Sequence, residues 1–440
     1  MQLLLQLQPQ LHPLSQLQQH PQVLPLLLLL PQPQQHSRMT IRISHRQPQS
    51  LPLFHMFCFT SLISLEHTMQ RKRGRQLDRG KILSGSKKMF RSITLALDMK
   101  GCPNRCKHCW MGWSPNGDMP EEDLATAAAD FAPFAENFEI HDWSREPDYS
   151  DRYRERWELC RELSGPRPHQ SHFELASIWW LVRDESYAPW LAELGVEAVQ
   201  LTLFGGEEAT DWYTGRKGAY REILQAIDIL LKSGIAPRIQ VFVSRKNLGE
   251  LPQVEALIEG LELESRCREI GREFDCFVHQ GSCDGENRRF YDMWVTPEDL
   301  EKIPDRLAAG TLKHFRAETL LDVFGKTEAE LCRELLGDES TFSYVSDDPV
   351  FFIDHNYDVY PNITTPSPIW RLGNWKKNGA EAVLDAYRNS QSTAQQVRLT
   401  VPVCRLAEAH GDPESRRLFG RDDYIELLLH RYCTAAGASK

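Results

Sequence analysis

Ile93-Thr94-Leu95-Ala96-Leu97, followed at once by Gly101-Cys102-Pro103-Asn104-Arg105-Cys106-Lys107-His108-Cys109-Trp110, decides how the rest of the chain is read. The first five residues form an apolar, strand-like run. The loop after them places three cysteines within eight residues, in a C-x3-C-x2-C pattern. With 11 cysteines in 440 residues, chance yields that pattern about 0.007 times in a chain of this length. Thiolates on a short Gly/Pro-containing loop converge on one centre, and thiolate is the ligand that selects iron–sulfur clusters or zinc. A structural zinc site wants four ligands, usually as two separated pairs, and His108 beside Cys109 is badly placed to complete such a sphere. Three thiolates suit a four-iron cluster with one iron left open, while a zinc knot or incidental thiols stands as the competing interpretation.

In these residues the chain resembles the radical S-adenosylmethionine (SAM) superfamily, whose C-x3-C-x2-C loop follows the first strand of a partial (β/α)6 barrel. The resemblance implies Cys102, Cys106 and Cys109 as ligands of a [4Fe-4S] cluster. It implies SAM on the fourth iron, cleaved by one electron to methionine and a 5′-deoxyadenosyl radical. His108 takes the position before the third cysteine, where the family usually has an aromatic residue near the adenine.

A second match lies downstream. Ala198-Val199-Gln200-Leu201-Thr202-Leu203-Phe204 reads as a buried strand and ends in Gly205-Gly206-Glu207, similar to the family's GGE turn after the second strand. Two glycines let a backbone approach a cofactor without an intervening Cβ, and a carboxylate holds an ammonium group. Glu207 is therefore the candidate for the methionine ammonium of SAM. The family's usual proline after the glutamate is replaced here by Glu208.

Strand and helix signals then alternate as a barrel requires. Ala219 to Lys232 is an amphipathic helix closed by Gly234, Arg238 to Val243 a strand, Leu251 to Leu263 a helix, and Phe274 to His279 a strand. Ligands gather at strand ends on one rim of such a barrel, which makes Ser244, Gln280 and Ser282 candidates for the SAM ribose or the substrate. A turn or cap role is the ordinary alternative for each serine.

The expected fold is α/β, a partial (β/α)6 TIM-like barrel over residues 89–320 with a helical insertion and a C-terminal α+β extension. The insertion, about 115–172, reads as helices Glu121 to Phe134 and Asp151 to Leu163 around a polar aromatic loop, Phe138-Glu139-Ile140-His141-Asp142-Trp143. His141, Asp142 and Trp143 are candidate lid residues. Phe173 to Leu194 reads as the crossover helix. In the extension, 321–440, the stretch from Pro349 to Pro361 and Leu372-Gly373-Asn374-Trp375 resemble the SPASM-type tail of peptide-modifying radical SAM enzymes. Asn362 stands where that tail normally has a cysteine, so no auxiliary cluster is expected, and Cys267, Cys276, Cys283 and Cys332 are read as buried structural thiols.

The chain carries 51 Lys+Arg and 61 Asp+Glu. Residues 1–88 hold 11 basic and 2 acidic side chains, which leaves 40 and 59, or about −19, for the remainder. A body so acidic disfavours polynucleotide binding. Residues 1–36 are Leu, Gln and Pro at 30 of 36 positions, and Leu24 to Leu30 falls far short of the roughly 20 apolar residues that span a bilayer. Residues 1–88 are therefore expected to be a disordered low-complexity tail of the kind an upstream start would add, with Met69 and Met89 as alternative starts; no membrane contact is expected. Eleven cysteines in 440 residues are too sparse for a disulfide scaffold, which points to the cytoplasm.

The expected activity is reductive cleavage of SAM for hydrogen abstraction from a substrate. The tail favours a peptide or small protein, with a small metabolite as the alternative, and the resemblance implies an electron donor of the flavodoxin or ferredoxin type. A non-catalytic iron–sulfur or zinc protein is the second functional class. The sequence assigns no residue to catalysis on the substrate.

Overall fold

The computed structural model describes residues 89–438 except 110, 112–117, 143–144, 166–171, 173, 283–284 and 362–365. The 1–88 tail, Trp143, Cys283 and Asn362 therefore lie outside the described residues.

Strand β1 (Phe90–Leu97) is the middle of the sheet that leads into the cysteine loop. On one side it pairs in parallel with β2 (Ala135–Asp142), with Ile93 opposite Phe138 and Leu95 opposite Ile140. On the other it pairs in parallel with β7 (Val350–Ile353), with Leu97 opposite Ile353. A strand flanked on both sides by parallel neighbours is covered on both faces, which explains why Leu95, Ala96 and Leu97 are buried in unbroken succession. Helix α1 (Glu122–Phe131) makes the crossover from β1 to β2. Its Leu124, Ala127, Ala128 and Phe131 pack on the sheet together with Phe351 and Trp375. From β7 the chain turns back through β8 (Asp358–Tyr360) and β9 (Gly373–Asn374) to complete the order β2-β1-β7-β8-β9.

A second, fully parallel sheet has the order β3-β4-β5, from Ala198–Leu203, Ala236–Phe242 and Asp275–His279. Between β3 and β4 run α5 (Glu207–Thr214) and α6 (Ala219–Lys232). Ile223, Ala226, Ile227, Leu230 and Leu231 of α6 bury against Val199, Leu201 and Ile239. Each of the isoleucine and leucine side chains contributes about 2 kcal/mol on leaving water. Helix α6 has the expected bounds, and Gly234, at φ +76°, turns the chain out of it. Helix α7 (Leu251–Gly260) precedes β5. A short antiparallel pair, β6 (Lys326–Thr327) with β10 (Leu418–Phe419), leads to the last helix, α10 (Arg421–Ala438).

Three expectations are corrected. The stretch from Phe138 to Asp142 is not a loop over a barrel mouth but the second half of β2, so the segment taken as a helical insertion carries a strand of the central sheet. Its polar alternation hid it, because Glu139 and His141 are buried while looking like loop residues. The crossover helix taken over Phe173 to Leu194 is two short ones, α3 (Ile178–Leu181) and α4 (Tyr187–Glu193), and Phe173 itself lies outside the described residues. The helix expected to reach Leu263 stops at Gly260, because Glu262 adopts φ +52° and breaks it. The architecture is mixed α/β. Among the described residues no strand ladder joins β3–β5 to β1, β2 and β7, so the pairing forms two sheets and not one six-strand arc.

Candidate functional site

The cysteine loop leaves the C-terminal end of β1 and docks on the last turn of α5. The amides of Arg105 and Lys107 donate to the carbonyls of Thr214 and Tyr213, each at 2.8 Å. This docking requires Gly215, whose φ is +65° and where a Cβ would stand 2.6 Å from the Arg105 carbonyl oxygen. The Cys109 amide closes a turn on the Cys106 carbonyl at 3.2 Å, and the Asn104 amide points at Cys102 Sγ at 3.4 Å.

Cys102, Cys106 and Cys109 thus share one loop. Burial pushes the Cys102 and Cys106 thiols well above the ordinary range, and the neighbouring thiols and the Glu146 carboxylate push them further. These three sulfurs sense one another, yet among the described residues no group of three or more His, Cys, Asp or Glu stands in metal-binding geometry. The donor set fits a group that takes up three thiolates: cationic iron would relieve the charge that now opposes their ionisation.

His108 packs between Phe204 and Phe242, with ring centroids 4.6 Å from each. Tyr213 stacks on Phe204 at 4.7 Å, and Phe290 completes the cluster. Burial lowers the His108 pKa to about 3, so the ring is neutral, and its Nδ1 is buried without a hydrogen-bond partner.

The Gly-Gly-Glu turn is arranged differently from expectation. The space a Cβ would take at Gly205 is held by Glu250, and at Gly206 by Gln253, whose Oε1 would lie 2.5 Å away. The Gly206 amide donates to Glu250 Oε2 at 3.3 Å. Glu207 opens α5 and pairs with Arg221 Nε at 2.8 Å, on the exposed side. It stands at the opposite end of α5 from the docked cysteine loop, about 10 Å away by helix rise. The glycine faces of the turn are thus filled by Glu250 and Gln253, and the half-exposed Glu207 carboxylate is shared with Arg221.

The remaining candidates fall into structural settings. Ser244 is fully buried, 2.7 Å from the Tyr213 hydroxyl, and its amide donates to Asn247 Oδ1. Gln280 donates to the Leu418 carbonyl at 2.8 Å and accepts from the Val295 amide. The carbonyl of Ser282 accepts from Asn287 at 2.5 Å, and the adjoining Gly281 packs against Phe242, so this loop borders the His108 cluster. His141 is buried in β2 beside Glu139, with its pKa lowered to about 4 by burial, and Asp142 pairs with Arg156 at 3.4 Å. Cys267, Cys276 and Cys332 are buried free thiols.

Four residues escaped the sequence analysis. Asp98, directly after β1, is 2% exposed and receives Arg145 Nε at 3.2 Å, with His355 Nδ1 at 3.7 Å and Oδ1 unpartnered. Asp98 follows β1, Arg145 follows β2 and His355 follows β7, so three parallel strands deliver charge to one rim. Glu146 is buried with its Oε2 3.8 Å from Cys102 Sγ, while its Oε1 accepts from Ser177 Oγ and the Trp179 amide. Isolated charged residues after strands give no sequence signal; only the pairing of β2 and β7 with β1 brings these together.

Residues 97–244, from the end of β1 through Ser244, match the family model of the Radical SAM superfamily. This chain carries a radical SAM domain. The radical SAM superfamily works with a [4Fe-4S] cluster and SAM, and the three cysteines and the Gly-Gly-Glu turn all lie inside the matched span. No curated protein matches the chain. Among solved structures, it is similar to native anSMEcpe with bound AdoMet and Kp18Cys peptide, at 16% identity and a TM-score of 0.43 over 79% of this chain and 99% of that one. It is also similar to Streptococcus suis SuiB bound to precursor peptide SuiA, at 13% identity and 0.37 over 69% and 72%. BtrN in complex with AdoMet and 2-DOIA gives 14% and 0.22 over 76% and 95%. With TM-scores below 0.5, these likenesses decide neither fold nor activity.

Proposed function

We propose that the protein is a radical SAM enzyme whose cluster is held by Cys102, Cys106 and Cys109. The observation that carries this is the placement of all three thiols on one loop after β1, inside the radical SAM domain. When bound, the cluster and SAM supply a 5′-deoxyadenosyl radical that removes a hydrogen atom from the substrate. The chain's own part is to hold and shelter these groups. The neutral His108 ring, clamped by Phe204 and Phe242 with its Nδ1 buried and unpartnered, would be the aromatic group beside the adenine. Glu207 takes the SAM ammonium only once Arg221 releases it.

The proposed organisation is a radical SAM domain over 89–320 and a SPASM-like extension over 321–440, with the parallel β2-β1-β7 ladder, its β7 lent by the extension, and the parallel β3-β4-β5 sheet as the arms of a partial barrel. The strand ends that carry Asp98, Gly205, Ser244 and His355 would form its rim. The extension favours a peptide or small-protein substrate, by its resemblance to SPASM-type tails. Cys160, Cys267, Cys276, Cys332, Cys404 and Cys433 are buried free thiols, which suits a reducing compartment such as the cytoplasm. No helix among the described residues is long and apolar enough to cross a membrane.

The Glu207–Arg221 pair favours a second reading, an iron–sulfur protein that does not bind SAM. One assay separates the two. The chain is reconstituted anaerobically with iron and sulfide, reduced with dithionite and given SAM, with Cys106→Ala as control. Formation of 5′-deoxyadenosine in the wild type alone supports the enzyme; a cluster that leaves SAM intact overturns it.

A further inference from the structure

Trp212 is 40% exposed on a protein whose residues 89–440 carry a net charge of about −19. Two ammonium groups flank its ring, Lys246 Nζ at 4.4 Å and Lys107 Nζ at 4.8 Å from the centroid. Lys107 lies between Cys106 and Cys109, so this surface is the outer skin of the cysteine loop. Lys217, in the turn after α5, and Arg245, beside Lys246, are exposed and extend it. Among the described residues Lys107, Lys217 and Lys246 have no carboxylate partner. Acids beside the patch are themselves engaged or peripheral: Asp211 is held by the amides of Gly218 and Tyr220, Asp292, whose carbonyl Arg245 holds, pairs with Arg417 at 2.7 Å, and exposed Glu208 lies one helical turn before Trp212.

Beneath the patch the rings are continuous. Trp212 meets Tyr213 at 4.8 Å, Tyr213 stacks on Phe204 at 4.7 Å, and Phe204 meets His108 at 4.6 Å, one residue from Cys109. A local excess of positive charge on an acidic body selects an acidic partner and speeds its encounter.

We propose that the Lys107–Trp212–Lys246 surface, with Lys217, is the docking site for a small acidic one-electron carrier protein. This rests on the function proposed above. In the docked complex the carrier loses one electron and the cluster gains it; no bond to the protein forms or breaks, and the rings keep their oxidation state. The electron's route is short because the docking surface and the ligand loop share Lys107.

The test uses the reconstituted full chain and an acidic flavodoxin as the probe. Binding of oxidised flavodoxin is measured by calorimetry at low and high salt, and reduction of the cluster by flavodoxin hydroquinone is followed by its visible bleaching. The double variant Lys217→Glu/Lys246→Glu should weaken binding and slow bleaching by roughly tenfold or more at low salt, and should flatten the salt dependence. Its reduction by dithionite should match the wild type. Unchanged flavodoxin affinity in the double variant, or wild-type binding insensitive to salt, overturns the proposal. Failure of dithionite-reduced wild type to cleave SAM would instead overturn the proposed function while leaving the binding result readable.

Discussion

Arg221 Nε lies 2.8 Å from Glu207 Oε1, so the carboxylate offered by the Gly-Gly-Glu turn is already engaged by a cation from the neighbouring helix. A ligand ammonium must compete with that guanidinium. Exposed pairs of this kind are worth about 1 kcal/mol or less, a barrier of a few-fold in affinity. Arg221→Ala is therefore expected to tighten SAM binding roughly two- to fivefold, and Glu207→Ala to weaken it with the cluster intact, both by calorimetry on the reconstituted protein. If neither substitution moves the affinity, Glu207 leaves the site.

Replacing Cys102, Cys106 or Cys109 with Ala should each remove the cluster and abolish SAM cleavage. Cys160→Ala should not, because Cys160 is buried in the packing around β1 and β2, away from the loop. Iron content and the electron paramagnetic resonance signal of the reduced protein report on the cluster directly. Retained cleavage in two of the loop variants would remove the trio from its assigned role.

Asp98 anchors the rim by holding Arg145, which also donates to the Met111 carbonyl at 3.1 Å just beyond the cysteine loop. Asp98→Ala leaves a buried guanidinium without its carboxylate, a loss of about 3 kcal/mol or more. Thermal melting should show a marked drop, and Asp98→Asn a smaller one. Equal stability in all three proteins would mean that the three strand ends are not tied together by charge.

Asp423, in the first turn of α10, has its carboxyl raised to about 7 by burial, with Asp422 and Glu426 adding to the effect. The folded state therefore holds this proton more tightly than the unfolded chain does. Its contribution is lost as pH rises from the unfolded value near 4 to about 7, at about 1.4 kcal/mol for each tenfold difference in proton affinity between the two states. Asp423→Asn should raise the melting temperature more at pH 8 than at pH 5. A gain that is the same at both values would contradict the buried, protonated carboxyl.

The parts of the fold written in local pattern were legible in the sequence. Ala219 to Lys232 shows its helical stripe openly, Ile93 to Leu97 reads as a strand by its apolar run, and Ala198 to Leu203 by the alternation that buries Val199, Leu201 and Leu203. Strand β2 was not legible, since Glu139 and His141 are polar residues buried by the sheet and by each other. In the site, cysteine spacing revealed the trio, while Asp98, Arg145 and His355 are 47 and 210 residues apart along the chain and meet only through strand pairing. Glu207 could be recognised as a motif residue, but its engagement by Arg221 depends on how α5 packs against α6, which spacing alone does not encode.

The pairing of β1 with β7 also bears on how the protein comes off the ribosome. Thr94 finds Val350 as its neighbour only after some 250 further residues have been made. Until then one edge of the strand leading to the cysteine loop is bare, and an unpaired edge of apolar residues invites association with other chains. The loop's support thus arrives only once β7 has been made, and loading of a metal centre there belongs after that point in synthesis.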